Sequence, residues 1–172
     1  MDTLDPEVDG LEGHSLELKS AFTWNARVGH EDGALREGVA KTIAAFSNSH
    51  GGRLIIGADE GGHIHGIDSE LHALFEDNHM DQFESLIHEY LKNLLHPYPF
   101  RSYSISFEKR NGLYLCDIIV APSPGVTYLR RKTPGGAIEH ELFVRTGNRS
   151  IRLVDVERDR FLVERFGGNW PL

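Results

Sequence analysis

Glu12, Glu17, Lys19 and Asp59 are the residues of this chain whose types could do chemistry together. Hard carboxylate oxygens hold Mg²⁺ or Mn²⁺, and such an ion activates water and stabilises charge on a phosphodiester under attack. An ammonium beside it adds electrostatic stabilisation to the pentacoordinate state. Glu17 and Lys19 stand two apart in SLELKSAF (15–22), a run that reads as a strand, so they project to one face. Glu12 precedes them in a loop able to fold over, and Asp59 closes the apolar run RLIIGA. The spacing permits a metal site of Glu12, Glu17 and Asp59, with Lys19 steadying a phosphate. It equally permits ordinary surface charges, with Asp59 a turn residue.

The surrounding elements must position these groups. Residues 1–10 read as a flexible acidic N-terminus, and 11–172 as a single domain. After a loop over 24–33, Leu35, Val39, Ile43 and Phe46 repeat at helical spacing over 34–48. Gly51-Gly52 stops that helix and lets the chain enter the RLIIGA strand. Gly61-Gly62 then predicts a turn with HIHGI returning as a hairpin partner. Phe83, Ile87, Tyr90, Leu91 and Leu94 make the stripe of a second helix over 80–96, closed by Pro97 and Pro99. Asn111-Gly112 between two alternating runs is the strongest hairpin signal present. Short strands around 127–130 and 141–145 and a helix over 153–166 complete the chain. Hairpins interrupted by helices predict one α+β domain with a mixed, mainly antiparallel sheet and flanking helices.

Several chemistries lack their residues. Gly52 and Gly57 have the outer spacing of a phosphate-binding loop, but Ala58 and Asp59 stand where Lys and Ser/Thr are required. His63 and His65 would share a strand face near Asp59, yet with Cys116 alone there is no cysteine zinc set, and no zinc is expected. Cys116 alternates with apolar neighbours as a small core residue. Ser47 and Ser49 have no recognisable base. No apolar run is long enough to span a bilayer and the acidic start is unlike a signal peptide, so the expected compartment is the cytoplasm and no membrane partner is expected.

The net charge of −8 is unevenly spread. Residues 1–126 carry nine Lys/Arg against twenty Asp/Glu, whereas 127–152 carry six against two. Within that stretch Arg130, Arg131, Lys132, Arg145 and Arg149 are candidates to track a phosphate backbone, or else form a solvated basic face.

Taken in order, these pieces resemble the Schlafen AlbA-like domain, also described as a divergent AAA or DNA-binding domain. The matching residues are Glu12, Glu17, Leu18 and Lys19, then Ala45, Phe46, Asn48, Gly51 and Gly52, then Ile56, Gly57, Asp59, Glu60 and Gly62. His65-Gly66-Ile67 and Phe143-Val144-Arg145-Thr146-Gly147 with Ser150 follow the family's later pattern. The resemblance covers roughly residues 10–155. It implies nucleic acid as partner, and Glu12, Glu17 and Asp59 as the acidic triad of a Mg²⁺- or Mn²⁺-dependent endoribonuclease on structured RNA such as tRNA or rRNA, with Lys19 beside it. The alternative is a non-catalytic DNA- or RNA-binding or regulatory module. Relatives clamp RNA between two lobes; with one lobe here, a clamp requires a homodimer.

Overall fold

The computed structural model describes residues 15–76 and 79–167. Its first strand, β1 (Leu16–Lys19), is shorter than the sequence suggests. The expected loop holds a two-residue pair of strands, β2 (Trp24–Asn25) and β3 (His30–Glu31), which form a small sheet of their own. Helix α1 (Gly33–Asn48) starts where the Asp32 carboxylate accepts the Ala34 N–H at 2.9 Å. Its stripe of Val39, Ile43 and Phe46 is fully buried.

The end of α1 is set by close packing. Gly51 has φ of +78° and its N–H returns to the Phe46 carbonyl at 2.9 Å. A Cβ on Gly52 would meet the Phe46 ring at 2.5 Å, so the backbone passes directly over that ring. The chain then enters β4 (Gly52–Ile56), whose Leu54, Ile55 and Ile56 are buried on both faces, as a central strand requires.

Beyond β4 the expected hairpin reduces to one bridge, Ala58 to Ile64. Both His65 and Gly66 donate to the Gly57 carbonyl, and Gly66 turns away at φ +70°. A short helix, α2 (Asp68–Leu74), follows, and then α3 (Met80–Leu94), with Phe83, Ile87 and Leu91 buried. Two residues that the sequence places in α3 instead form β5 (Leu95–His96). The hairpin β6 (Tyr103–Arg110) and β7 (Leu113–Val120) turns on Asn111 and Gly112, both at positive φ. Strands β8 (Tyr128–Lys132), β9 (Ile138–Thr146) and β10 (Arg149–Leu153) and helix α4 (Asp155–Phe166) complete the order.

The domain is α+β and its strand pairing is mainly antiparallel, with β1 parallel to β4. The strands divide into two four-stranded sheets rather than one, ordered β1-β4-β7-β6 and β10-β9-β8-β5. One apolar core joins them: Leu54 and Ile118 of the first sheet and Leu129 and Phe143 of the second pack in the same cluster as α1 and α3. Asn48, fully buried at the last position of α1, ties the halves together. Its amide donates to the carbonyls of Thr127 (2.8 Å) and Phe143 (2.9 Å), and its oxygen accepts the Thr127 N–H (2.8 Å). Leu162 of α4 packs with Val126, Tyr128 and Leu142 in a separate cluster. Among the described residues, no helix is long and apolar enough to cross a membrane.

Candidate functional site

Alternation along β1 decides which way its charges point. Leu16 and Leu18 pack with Ile55, Ala58 and Leu115, so Glu17 and Lys19 must occupy the other face, in register with Leu54 and Ile56. β1 is an edge strand, and on that face it meets the end of β9. Arg145, with a side chain only 3% exposed, reaches Glu17 Oε2 through Nη2 at 2.8 Å, while Lys19 Nζ takes Oε1 at 2.6 Å. The guanidinium also donates to the Leu16 carbonyl and the Ser150 hydroxyl, both at 3.3 Å, and lies 5.0 Å from the centroid of the Phe46 ring. Its Nε is buried with no hydrogen-bond partner among the described residues. Burial raises the Glu17 pKa, but the hydrogen bonds and charges of Lys19 and then Arg145 outweigh it and hold the carboxyl below its ordinary range.

Asp59 follows β4 by three residues and opens a tight turn. Its carboxylate accepts the N–H groups of Gly61 (2.9 Å) and His63 (3.0 Å) and lies against His63 Nδ1 (3.1 Å) and His65 Nε2 (3.0 Å). The His65 hydrogen bond is the largest influence; against a smaller desolvation effect, it and the His63 contacts pull the Asp59 pKa down to about 2. Glu60, the next residue, shares a cleft with Glu17. The two carboxylates line one cleft of about 180 Å³ with Leu16, Leu18, Arg145 and Asn148.

Thus Glu17, Lys19 and Arg145 are brought together, Asp59 is engaged by its own turn, and Glu12 lies outside the described residues. Both Glu17 oxygens bind cations, and among the described residues, which leave out Glu12, no three His, Cys, Asp or Glu side chains gather as a ligand set.

The basic candidates separate as well. Arg131 sits opposite Glu139, six positions along β9 from Arg145, or roughly 20 Å. Arg131 is also tied to Glu37 (3.2 Å) and, more loosely, to Glu141 (3.7 Å). Arg130 pairs with His140, and Lys132 lies at the same far end of the sheet. Arg149, exposed beside Asn148 at the near end, has no anionic partner among the described residues.

Sequence reasoning missed two further features. Glu60 belongs to the family pattern beside Asp59, but sequence reasoning assigned it no role at the site, and its place in the cleft depends on how the turn folds. A second and larger cleft, about 570 Å³, opens just past Lys19 and includes Trp24, Asn25, Arg27, His65 and Ser69. Its floor is set by Glu70, only 3% exposed, whose carboxylate accepts the N–H groups of Phe22 (3.0 Å), Thr23 (2.5 Å) and Trp24 (2.8 Å). Burial pushes the Glu70 carboxyl up despite those three donors.

Comparison with known proteins gives two findings. A family model described as Schlafen, AlbA_2 matches residues 12–154. Among solved structures, the DIP2311 protein from Corynebacterium diphtheriae is similar at a TM-score of 0.55 and 15% identity, over 88% of this chain and 27% of that one. That likeness is one of fold, and this chain spans about a quarter of the other protein's length. No curated protein matches the chain.

Proposed function

The chain belongs to the Schlafen, AlbA_2 family, and from that premise we propose that it is a nucleic-acid-binding domain that takes a phosphate backbone at the joint between β1 and β9. One observation carries the reading: Lys19 and Arg145 converge on the single carboxylate of Glu17 where β1 meets β9, two cations on one anion in a chain of net charge −8, with exposed Arg149 at the adjoining β9–β10 turn. Arg145, only 3% exposed, fixes the joint through Glu17, Ser150 and Phe46 and adds its charge from beneath the surface, leaving the direct contact to more exposed cations. Arg149, exposed at the adjoining turn, is the natural first contact. Arg130, Arg131 and Lys132 lie too far along the sheet to share that contact.

Fluorescence anisotropy with a tRNA-sized RNA and a DNA duplex, across a salt series, tests this. Arg149→Ala is expected to weaken binding and to lower the slope of log K against log salt by roughly one, while Arg130→Ala leaves both near wild type. Salt-independent binding, or an Arg149→Ala protein indistinguishable from wild type, would overturn it.

A second reading, metal-dependent cleavage of structured RNA, is favoured by Glu17 and Glu60 lining one cleft, with Lys19 bound to Glu17. It requires Glu17 to exchange a cationic side chain for a metal ion. Incubating tRNA with Mn²⁺ and wild type, Glu17→Ala or Glu60→Ala tests it; cleavage confined to wild type supports it, and equal or absent cleavage in all three removes it.

A further inference from the structure

The cleft beyond Lys19 has no role in the reading above, yet it is built with care. The three N–H bonds to Glu70 fix the backbone under Trp24. Asn25 then organises the adjoining loop: its side-chain oxygen accepts the Arg27 N–H at 3.1 Å, its carbonyl accepts from Val28 and Gly29, and its amide donates to Asp32 at 3.1 Å. The result holds an only partly buried indole in place and sends Arg27 into solvent, where its guanidinium has no partner among the described residues. A structural role alone explains neither the half-buried indole at the cleft nor the unpaired cation that lines it too.

From this geometry we infer that the cleft is a nucleobase subsite: it takes one unstacked base from a strand whose adjoining phosphate lies at Lys19. The proposal rests on the nucleic-acid reading above and deepens it. A volume of about 570 Å³ suits a nucleoside-sized group. Trp24 supplies the stacking surface, which is tolerant of base identity, and Arg27 stacks or meets a phosphate. Ser69 and the His65 ring offer hydrogen-bonding groups at the wall. Ser20 and Ala21, which continue β1 directly from Lys19, form the near wall, so a backbone held at Lys19 delivers its next base into the opening.

The test uses the full chain carrying Trp170→Phe, which leaves Trp24 as the lone tryptophan reporter. Adenosine, guanosine, cytidine and uridine monophosphates are titrated against its fluorescence, with ribose 5-phosphate as control. In parallel, Trp24→Leu and Arg27→Ala are assayed by anisotropy with a mixed-sequence single-stranded RNA and a blunt RNA duplex, and their thermal unfolding is recorded. Saturable quenching by nucleotides and not by the sugar phosphate is expected. So is a roughly tenfold loss of single-strand affinity in Trp24→Leu, with duplex affinity within about twofold of wild type. Absence of saturable quenching overturns the subsite, as does an equal loss for both RNAs; either leaves the Arg149-dependent reading standing if that variant still weakens binding. Quenching by nucleotides with no RNA binding by wild type overturns both the strand assignment and the function proposed above, and marks a free-nucleotide site. Should Trp24→Leu unfold, Arg27→Ala, on an exposed side chain, carries the same comparison.

Discussion

Replacing Glu17 by Gln isolates the joint between β1 and β9. The substitution keeps the shape and removes the charge that faces Arg145 at 2.8 Å and Lys19 at 2.6 Å. The Lys19 pair is partly solvated and contributes about 0.5–1 kcal/mol. The Arg145 pair differs, because a guanidinium 3% exposed is left without its carboxylate. Losing one partner of a fully buried pair costs about 3–5 kcal/mol. Glu17 is 20% exposed, and Arg145 retains the Leu16 carbonyl, Ser150 and the Phe46 ring, which lowers that to about 2 kcal/mol. The total of about 3 kcal/mol corresponds to a fall in Tm of about 6–12 °C for a domain of this size. The pH dependence has a definite sign. Glu17 titrates below its ordinary value of 4.5, so its stabilisation is complete above that value and is lost as pH falls through the lower folded value. Thermal unfolding followed by circular dichroism should therefore show a gap between wild type and Glu17→Gln that is full near neutrality and narrows in acid. Adding Arg145→Met to Glu17→Gln should recover part of the loss, since no unpaired charge then remains buried. A Tm change under about 2 °C, or a gap equally wide at about pH 7 and pH 3, would refute the reasoning.

Other expectations follow from single side chains. Asn48→Ala removes three buried hydrogen bonds and leaves the Thr127 and Phe143 groups unsatisfied; chemical denaturation should show a loss of about 3 kcal/mol or more. Glu70→Ala strands three backbone N–H groups at residues 22–24, so hydrogen exchange at those amides should accelerate well before the core does. The Asp59 carboxyl should titrate near 2, below its ordinary 3.8, in a carbon-detected NMR titration, and His65→Ala should raise that value because His65 is its largest influence. An Asp59 titrating at its ordinary value would remove the case for the turn as drawn.

The sequence made the long, strongly patterned segments readable. α1, α3 and the Asn111-Gly112 hairpin each bury a clear face or need a definite turn, and that local logic survives folding. α2 escaped because seven residues with only Glu70 and Leu71 buried leave no period to detect. The division into two sheets escaped for another reason: it depends on which distant strands meet, and alternation says only that a segment has two faces. At the site, alternation placed Glu17 and Lys19 on one face but was silent on what they would meet. Arg145 read as a surface contact, yet it lies two residues past the inward-facing Phe143, and period two along β9 points it inward as well. An inward arginine requires a carboxylate, which was the available clue to Glu17.

The Asn48 amide has a consequence for how the chain comes together in time. Its partners lie 79 and 95 residues further along. As the chain emerges from a ribosome, α1, β4 and the β6–β7 hairpin are complete while the buried end of α1 still has no acceptors. Closing so long a loop is slow, and its entropy is lost before any contact repays it. The first sheet therefore waits, with one polar end unsealed, until β9 has been synthesised. A chain truncated at residue 125 is expected to collapse without reaching native cooperativity, and one extended past residue 150 to gain it in a single step.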